Sequence, residues 1–166
     1  MGILNFDRDD RLAVLRGVPL FSECTNAELK LVRSQMTTIE REAGDVLIEE
    51  GTTGSEFFVI LQGSASVWRD GRILDHLVAG SFFGEISLLD GKLRTASVRA
   101  ESPIQLLVLA RGEFKTLNSS IPSLTRRIQA ELGARLRKAD EALDAGFLLN
   151  GSENQASVLD RGNGPW

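Results

Sequence analysis

A chain of 166 residues has room for one domain, or one domain with a short extension, since soluble domains run to about 100–200 residues. With 42% hydrophobic and 25% charged residues, a formal charge of −4 and a pI near 5.1, its composition is globular and not that of a protein built to neutralise a phosphate backbone. One cysteine (Cys24), one histidine (His76) and no tyrosine exclude an internal disulfide framework, a Cys/His zinc site and a metal centre that needs several histidines.

A serine hydrolase would have to run on His76 alone, whose Asp75-His76-Leu77 setting reads more simply as an outward-facing strand histidine. No apolar run approaches the roughly 18 residues of a membrane span. The start MGILNFDRDD carries acids where a signal peptide is apolar, and Phe6 stands where myristoylation requires Ser or Thr. A cytoplasmic protein without cofactor, metal or catalytic group is the expectation.

In chain order, residues 1–10 are read as an N-terminal extension. Arg11–Gly17 places Leu12 and Leu15 on one helical face and stops at Gly17, with Pro19 beyond. Thr25-Asn26-Ala27-Glu28 has the capping-box pattern ahead of Leu29, Val32 and Met36, predicting a helix to about Met36. From residue 37 to 110 the texture changes to short runs rich in Val, Ile, Phe and Thr between glycines, which suggests an antiparallel barrel or sandwich. The candidate strands are Thr37–Glu42, Val46–Glu50, Glu56–Gln62, Ser64–Arg69, Arg72–Leu77, Thr95–Ala100 and Ile104–Ala110, with Asp70-Gly71 as a tight turn. The interval from Gly80 to Arg94 neither alternates nor fits a hairpin. A short helix over Gly112–Leu117 and a long one over Ser120–Leu143 follow, the latter with Leu124, Ile128, Leu132, Leu136, Ala139 and Leu143 in one stripe. The charges on its other faces nearly cancel, as on a solvated helix. The domain is thus placed at 11–144, and the polar tail 145–166 is read as disordered.

The chemistry concentrates in residues 82–100. Gly84 permits close backbone approach, the next residues can wind one helical turn whose free N–H groups suit an anion, and Arg94 shares strand parity with the inward positions Ala96, Val98 and Ala100. An inward guanidinium calls for an anion. Two candidates meet it: Glu85, as an internal ion pair, or a ligand carrying a phosphate charge and a vicinal hydroxyl.

The run Phe83-Gly84-Glu85-Ile86-Ser87-Leu88-Leu89 followed by Arg94-Thr95-Ala96-Ser97-Val98-Arg99-Ala100 resembles the phosphate-binding cassette of the cyclic nucleotide-binding domain superfamily. Leu47-Ile48, Gly51, Gly54, Phe57-Phe58-Val59-Ile60 and Gly63 match that family's upstream spacing, and Val18-Pro19-Leu20-Phe21 its N-terminal segment. The resemblance covers roughly Leu12 to Leu143. It implies a mainly β fold with flanking helices: an eight-stranded antiparallel jelly-roll barrel with N-terminal helices and a long C-terminal helix. It also implies a cyclic mononucleotide ligand held by Phe83, Gly84, Glu85, Ile86, Ser87, Arg94, Thr95 and Ala96, with Arg94 on the phosphate and Glu85 on the ribose 2′-hydroxyl. The closing helix would meet the base through Leu132, Arg135 and Leu136. Thr95 suits a guanine amino group, yet the same string resembles modules that prefer cAMP, so cAMP is favoured on base rate and cGMP stays open.

Some twenty polar residues after Leu143 are too few for a helix-turn-helix domain, so direct DNA binding is not expected. Three outputs remain: a sensor acting on a separate protein effector, a homodimer through 124–143 as in a transcription regulator lacking its DNA-binding domain, or an interaction module of the same fold that does not switch.

Overall fold

The computed structural model describes residues 8–85, 87–88, 91, 93–130 and 133. Helix α1 (Arg8–Arg16) begins ahead of the expected Arg11 and ends before Gly17. A 3-10 turn that the sequence did not announce, Pro19–Phe21, follows and buries Leu20 and Phe21. Helix α2 (Asn26–Ser34) starts at the expected cap: Thr25 Oγ1 accepts from the Glu28 N–H and Glu28 Oε1 from the Thr25 N–H, each at 3.1 Å.

Eight strands come next: β1 (Thr37–Arg41), β2 (Val46–Ile48), β3 (Glu56–Gln62), β4 (Ala65–Arg69), β5 (Arg72–Leu77), β6 (Phe82–Phe83), β7 (Ser97–Ala100) and β8 (Ile104–Ala110). They form two antiparallel four-stranded sheets, in the orders β1-β8-β3-β6 and β2-β7-β4-β5. This is jelly-roll connectivity: consecutive strands alternate between sheets except at the β4–β5 hairpin, which stays in one sheet. The barrel takes the form of two facing sheets, each with its own hydrogen-bonded ladders. The turn between β4 and β5 is the expected one, with φ of 51° at Asp70 and 74° at Gly71, the pair of left-handed residues that a type I′ hairpin requires. Strand β6 was not anticipated; its two residues pair with Phe58 and Val59. β7 starts at Ser97 rather than Thr95.

Strand β3 reads as a continuous apolar run because both of its faces are covered. Phe57, Val59 and Leu61 join Leu15, Val18, Leu29, Val32, Leu107 and Leu109 in a core beneath the helices. Phe58 and Ile60 look the other way, into the space between the sheets, beside Val67, Ala96, Val98, Ile104 and Leu106.

After β8, helix α3 (Arg111–Ser120) exceeds the expected Gly112–Leu117 at both ends, and Ile121-Pro122 separates it from a helical stretch described over 123–130. Leu124 and Ile128, expected on the apolar stripe of the long helix, are buried in this chain's own core. The rest of that helix, with Leu132, Arg135 and Leu136, and the tail 145–166 lie outside the described residues, apart from Gly133.

Candidate anion-binding site

Arg94 is fixed first through its backbone. Its N–H donates to the Thr52 carbonyl at 2.8 Å, its carbonyl accepts from Gly51 N–H at 2.9 Å, and a bridge pairs Thr53 with Leu93. These contacts carry the β2–β7 pairing past the end of the strands and bring the Gly51–Gly54 loop under the side chain.

The guanidinium then turns inward. Its Nη1 donates to Ser87 Oγ at 2.9 Å and to the Gly84 carbonyl at 3.4 Å; its Nη2 donates to the Glu56 carbonyl at 3.0 Å. Arg94 is 7% exposed, and all three acceptors are neutral. The two ion pairs among the described residues are His76–Glu101 and Arg127–Glu23, so the internal Arg94–Glu85 pairing considered from the sequence is not the arrangement found. Burial pushes the Arg94 pKa below its usual value, and the Glu56 carboxylate opposes that shift. The group nevertheless remains a cation. A desolvated positive charge whose hydrogen-bond acceptors are all neutral is a strong point of attraction for an anion.

Two glycines make room for it. A Cβ on Gly54 would stand 2.5 Å from both Cζ and Nη2 of Arg94. Gly84, at φ +84°, would place a Cβ 2.6 Å from the Glu56 carbonyl oxygen and 2.9 Å from Arg94 Nη1. Sequence reading marked Gly84 for close approach to a ligand; the structure shows that it first accommodates the arginine. Gly54 was visible only as part of a spacing pattern and Glu56 only as the start of a strand, because their role depends on a loop some forty positions from Arg94.

The other expected site residues divide by location. Glu85 and Ser87 are 2% and 4% exposed and lie in the same buried turn, where Leu88 N–H donates to the Glu85 carbonyl at 3.1 Å. Phe83 is fully buried and stacked on Phe58 at 4.8 Å, and the Ala96 methyl belongs to the inter-sheet core; both side chains pack the scaffold. Thr95 is exposed, and its carbonyl accepts from Arg69 Nε at 2.8 Å. Ile86 lies outside the described residues. A cavity of about 380 Å³ between β1, β2, β3 and β8 has Glu56 among its walls but not Arg94. Among the described residues no cluster of His, Cys, Asp or Glu could hold a metal, and no helix is long and apolar enough to cross a membrane.

A jelly roll that encloses a buried arginine in a glycine-lined cradle defines an anion-binding β module. Residues 38–120 match the family model described as the cyclic nucleotide-binding domain, and the chain belongs to that family. It is 34% identical over 70% of its length to the cAMP-dependent protein kinase regulatory subunit of Emericella nidulans, covering 29% of that protein. It is 33% identical over 92% of its length to the potassium/sodium hyperpolarization-activated cyclic nucleotide-gated channel 4 of Rattus norvegicus, covering 13% of that protein. The crystal structure of Thermus thermophilus catabolite activator protein superposes with a TM-score of 0.73 at 31% identity, over 78% of this chain and 63% of that one. The chain therefore spans less than a third of the curated relatives it matches.

Proposed function

We propose that the chain is a regulatory module that binds a cyclic nucleotide at Arg94 and passes the bound state to a partner protein through its C-terminal helical segment. The observation that carries this reading is the buried Arg94 guanidinium held by neutral acceptors alone. In this reading Arg94 takes the phosphate, Gly84, Glu85 and Ser87 offer backbone or hydroxyl donors, Thr95 and Ala96 complete the phosphate contacts, and Glu85 accepts from the ribose 2′-hydroxyl. The names of the relatives make cAMP the first ligand to test, with cGMP beside it. The role is one of binding rather than catalysis, and it calls for neither metal nor cofactor.

Leu88 supports the relay. It sits one residue beyond Ser87 and shares a core with Phe114, Leu117, Leu124 and Ile128, so a shift in the cassette is felt by both C-terminal helical stretches. Because Leu124 and Ile128 are used inside the monomer, their part of the stripe favours relay to a partner over a dimer seam.

The test is Arg94→Leu, measured by calorimetry with cAMP and cGMP. A two-pronged arginine–phosphate contact at about 1.5–3 kcal/mol per charge-assisted bond amounts to roughly a hundredfold or more in affinity. Binding should fall by at least that factor with the thermal midpoint unchanged or raised, since a desolvated charge is removed. Wild-type affinity in the variant would refute the assignment.

A further inference from the structure

Strands β1 and β2 are edge strands, one in each sheet, and the cavity of about 380 Å³ has both among its walls. That volume is within the range of about 300–1,000 Å³ in which pockets hold small molecules. Side chains alternate across a strand, so Arg41 shares the inner face of β1 with Ile39, and Glu56 that of β3 with Phe58. Ile39, Leu47 and Val108 pack on the inter-sheet core yet stay only partly buried. With Phe58 they give the cavity an apolar floor.

Its charged groups are divided between two ends. Glu56 lies opposite Ala110, and Glu113 stands in the first turn of α3, just beyond Ala110, so both acids belong to one end of the cleft. Arg41 lies opposite Ile104, about 20 Å from the Ala110 level by strand rise, and its Nη1 is tied to the Glu40 carbonyl at 2.7 Å. The two ion pairs among the described residues involve neither Glu56 nor Glu113. Two like charges at the end of an apolar cleft concentrate the opposite charge there.

We propose that this cleft is a second ligand site, which takes a small organic monoamine with its ammonium head against Glu56 and Glu113 and its apolar body over Ile39, Leu47, Phe58 and Val108. A carboxylate or phosphate would be repelled at that end. A short diamine would lay its second charge on the apolar floor, where nothing compensates the lost hydration. The site does not rest on the cyclic-nucleotide reading. Glu56 nevertheless joins the two places, because its backbone carbonyl accepts from Arg94 Nη2 at 3.0 Å while its residue lines the cleft.

Calorimetry on the full chain with phenethylamine, phenethyl alcohol and cadaverine tests this. The amine should bind about tenfold or more tightly than the alcohol, which has the same body without the charge, and more tightly than the diamine. Glu56→Gln and Glu113→Gln should each weaken amine binding by about fivefold or more, the lower end for a charge-assisted contact at a solvent-facing carboxylate. In an isotopically labelled chain the amide resonances that move with the amine should centre on Ile39, Leu47 and Val108. If Glu56→Gln loses its cooperative melt, Glu113→Gln and the amide shifts decide in its place. No amine binding at millimolar concentration, equal affinity for amine and alcohol, wild-type affinity in the glutamine variants, or shifts centred elsewhere would overturn the site while leaving the role of Arg94 standing. A chain that binds the amine in this way but neither cyclic nucleotide would uphold the site and overturn the proposed function.

Discussion

Replacing Gly54 with alanine moves the Arg94 guanidinium without removing its charge. The added methyl carbon would collide with Arg94 Nε and stand 2.5 Å from Cζ and Nη2, where ordinary contact begins at 3.4 Å, so the guanidinium must withdraw by more than about 0.9 Å. Its anchoring bonds to Ser87 Oγ and the Glu56 carbonyl, now 2.9 and 3.0 Å, cannot both survive such a shift, because hydrogen bonds weaken quickly beyond about 3.2 Å. The Gly54 backbone lies outside the left-handed region, so alanine strains nothing there and by itself stabilises the fold by about 0.4–1 kcal/mol through the unfolded state. Loss of one charge-assisted contact to phosphate, about 1.5–3 kcal/mol, weakens nucleotide binding by roughly 10- to 100-fold. Calorimetric titration gives the affinity, and the thermal midpoint, expected within a few degrees of wild type, shows that the fold is intact. An affinity within twofold of wild type in a folded variant would refute the claim that the Gly54 cradle positions Arg94.

Three further outcomes follow from other parts of the fold. Gly63→Ala puts a Cβ at a φ of +94°, against the Pro103 carbonyl and 2.9 Å from Ile104 Cα; a loss of about 1–3 kcal/mol should appear as a lower midpoint in urea unfolding. Thr25→Ala removes one half of the capping box and should lower stability by about 1 kcal/mol, with circular dichroism following the thermal melt. Burial raises the Cys24 pKa, its largest cause being desolvation, partly offset by Arg127. Its thiol should therefore be alkylated far more slowly in the native chain than in the unfolded one. Because the raised folded pKa favours the protonated thiol, the associated stability is intact below the unfolded-state pKa, near 8.5, and is lost as pH rises from there through the folded value; comparing urea midpoints of wild type and Cys24→Ala between pH 7 and 10 checks that sign.

Much of this architecture was readable before any coordinates. The capping box at Thr25 and Glu28 needs only residues three apart, and the Asp70-Gly71 hairpin only two adjacent left-handed positions, so local chemistry was sufficient. The position of seven of the eight strands followed within about two residues from apolar runs and glycine punctuation, β7 beginning two residues late. Strand β6 escaped because two residues between Ser81 and Gly84 carry no periodicity; they are a strand only because Phe58 and Val59 lie beside them. The 3-10 turn at Pro19–Phe21 was hidden in the same way, since burial of Leu20 and Phe21 under the helices holds it. The helix stripe marked Leu124 and Ile128 as apolar but left open what they pack against, because a 3.6-residue period shows that a face is apolar and not what covers it.

At the functional site the division is sharper. Sequence alone determined that an inward arginine follows a glycine-led turn, that the pattern Gly84-Glu85-Ile86-Ser87 with Arg94-Thr95-Ala96 resembles a phosphate-binding cassette, and that the acidic chain must meet any anion locally. Only the tertiary structure decided what meets the guanidinium when no ligand is considered: the Glu56 carbonyl from β3 and Ser87, not the Glu85 carboxylate. Only it placed Gly54 beneath Arg94 and brought Arg69 to the Thr95 carbonyl, across 26 positions of chain. Spacing along a chain encodes local turns and faces, whereas partners supplied by different strands are set by register and sheet order, which emerge only when the two sheets close on their shared core.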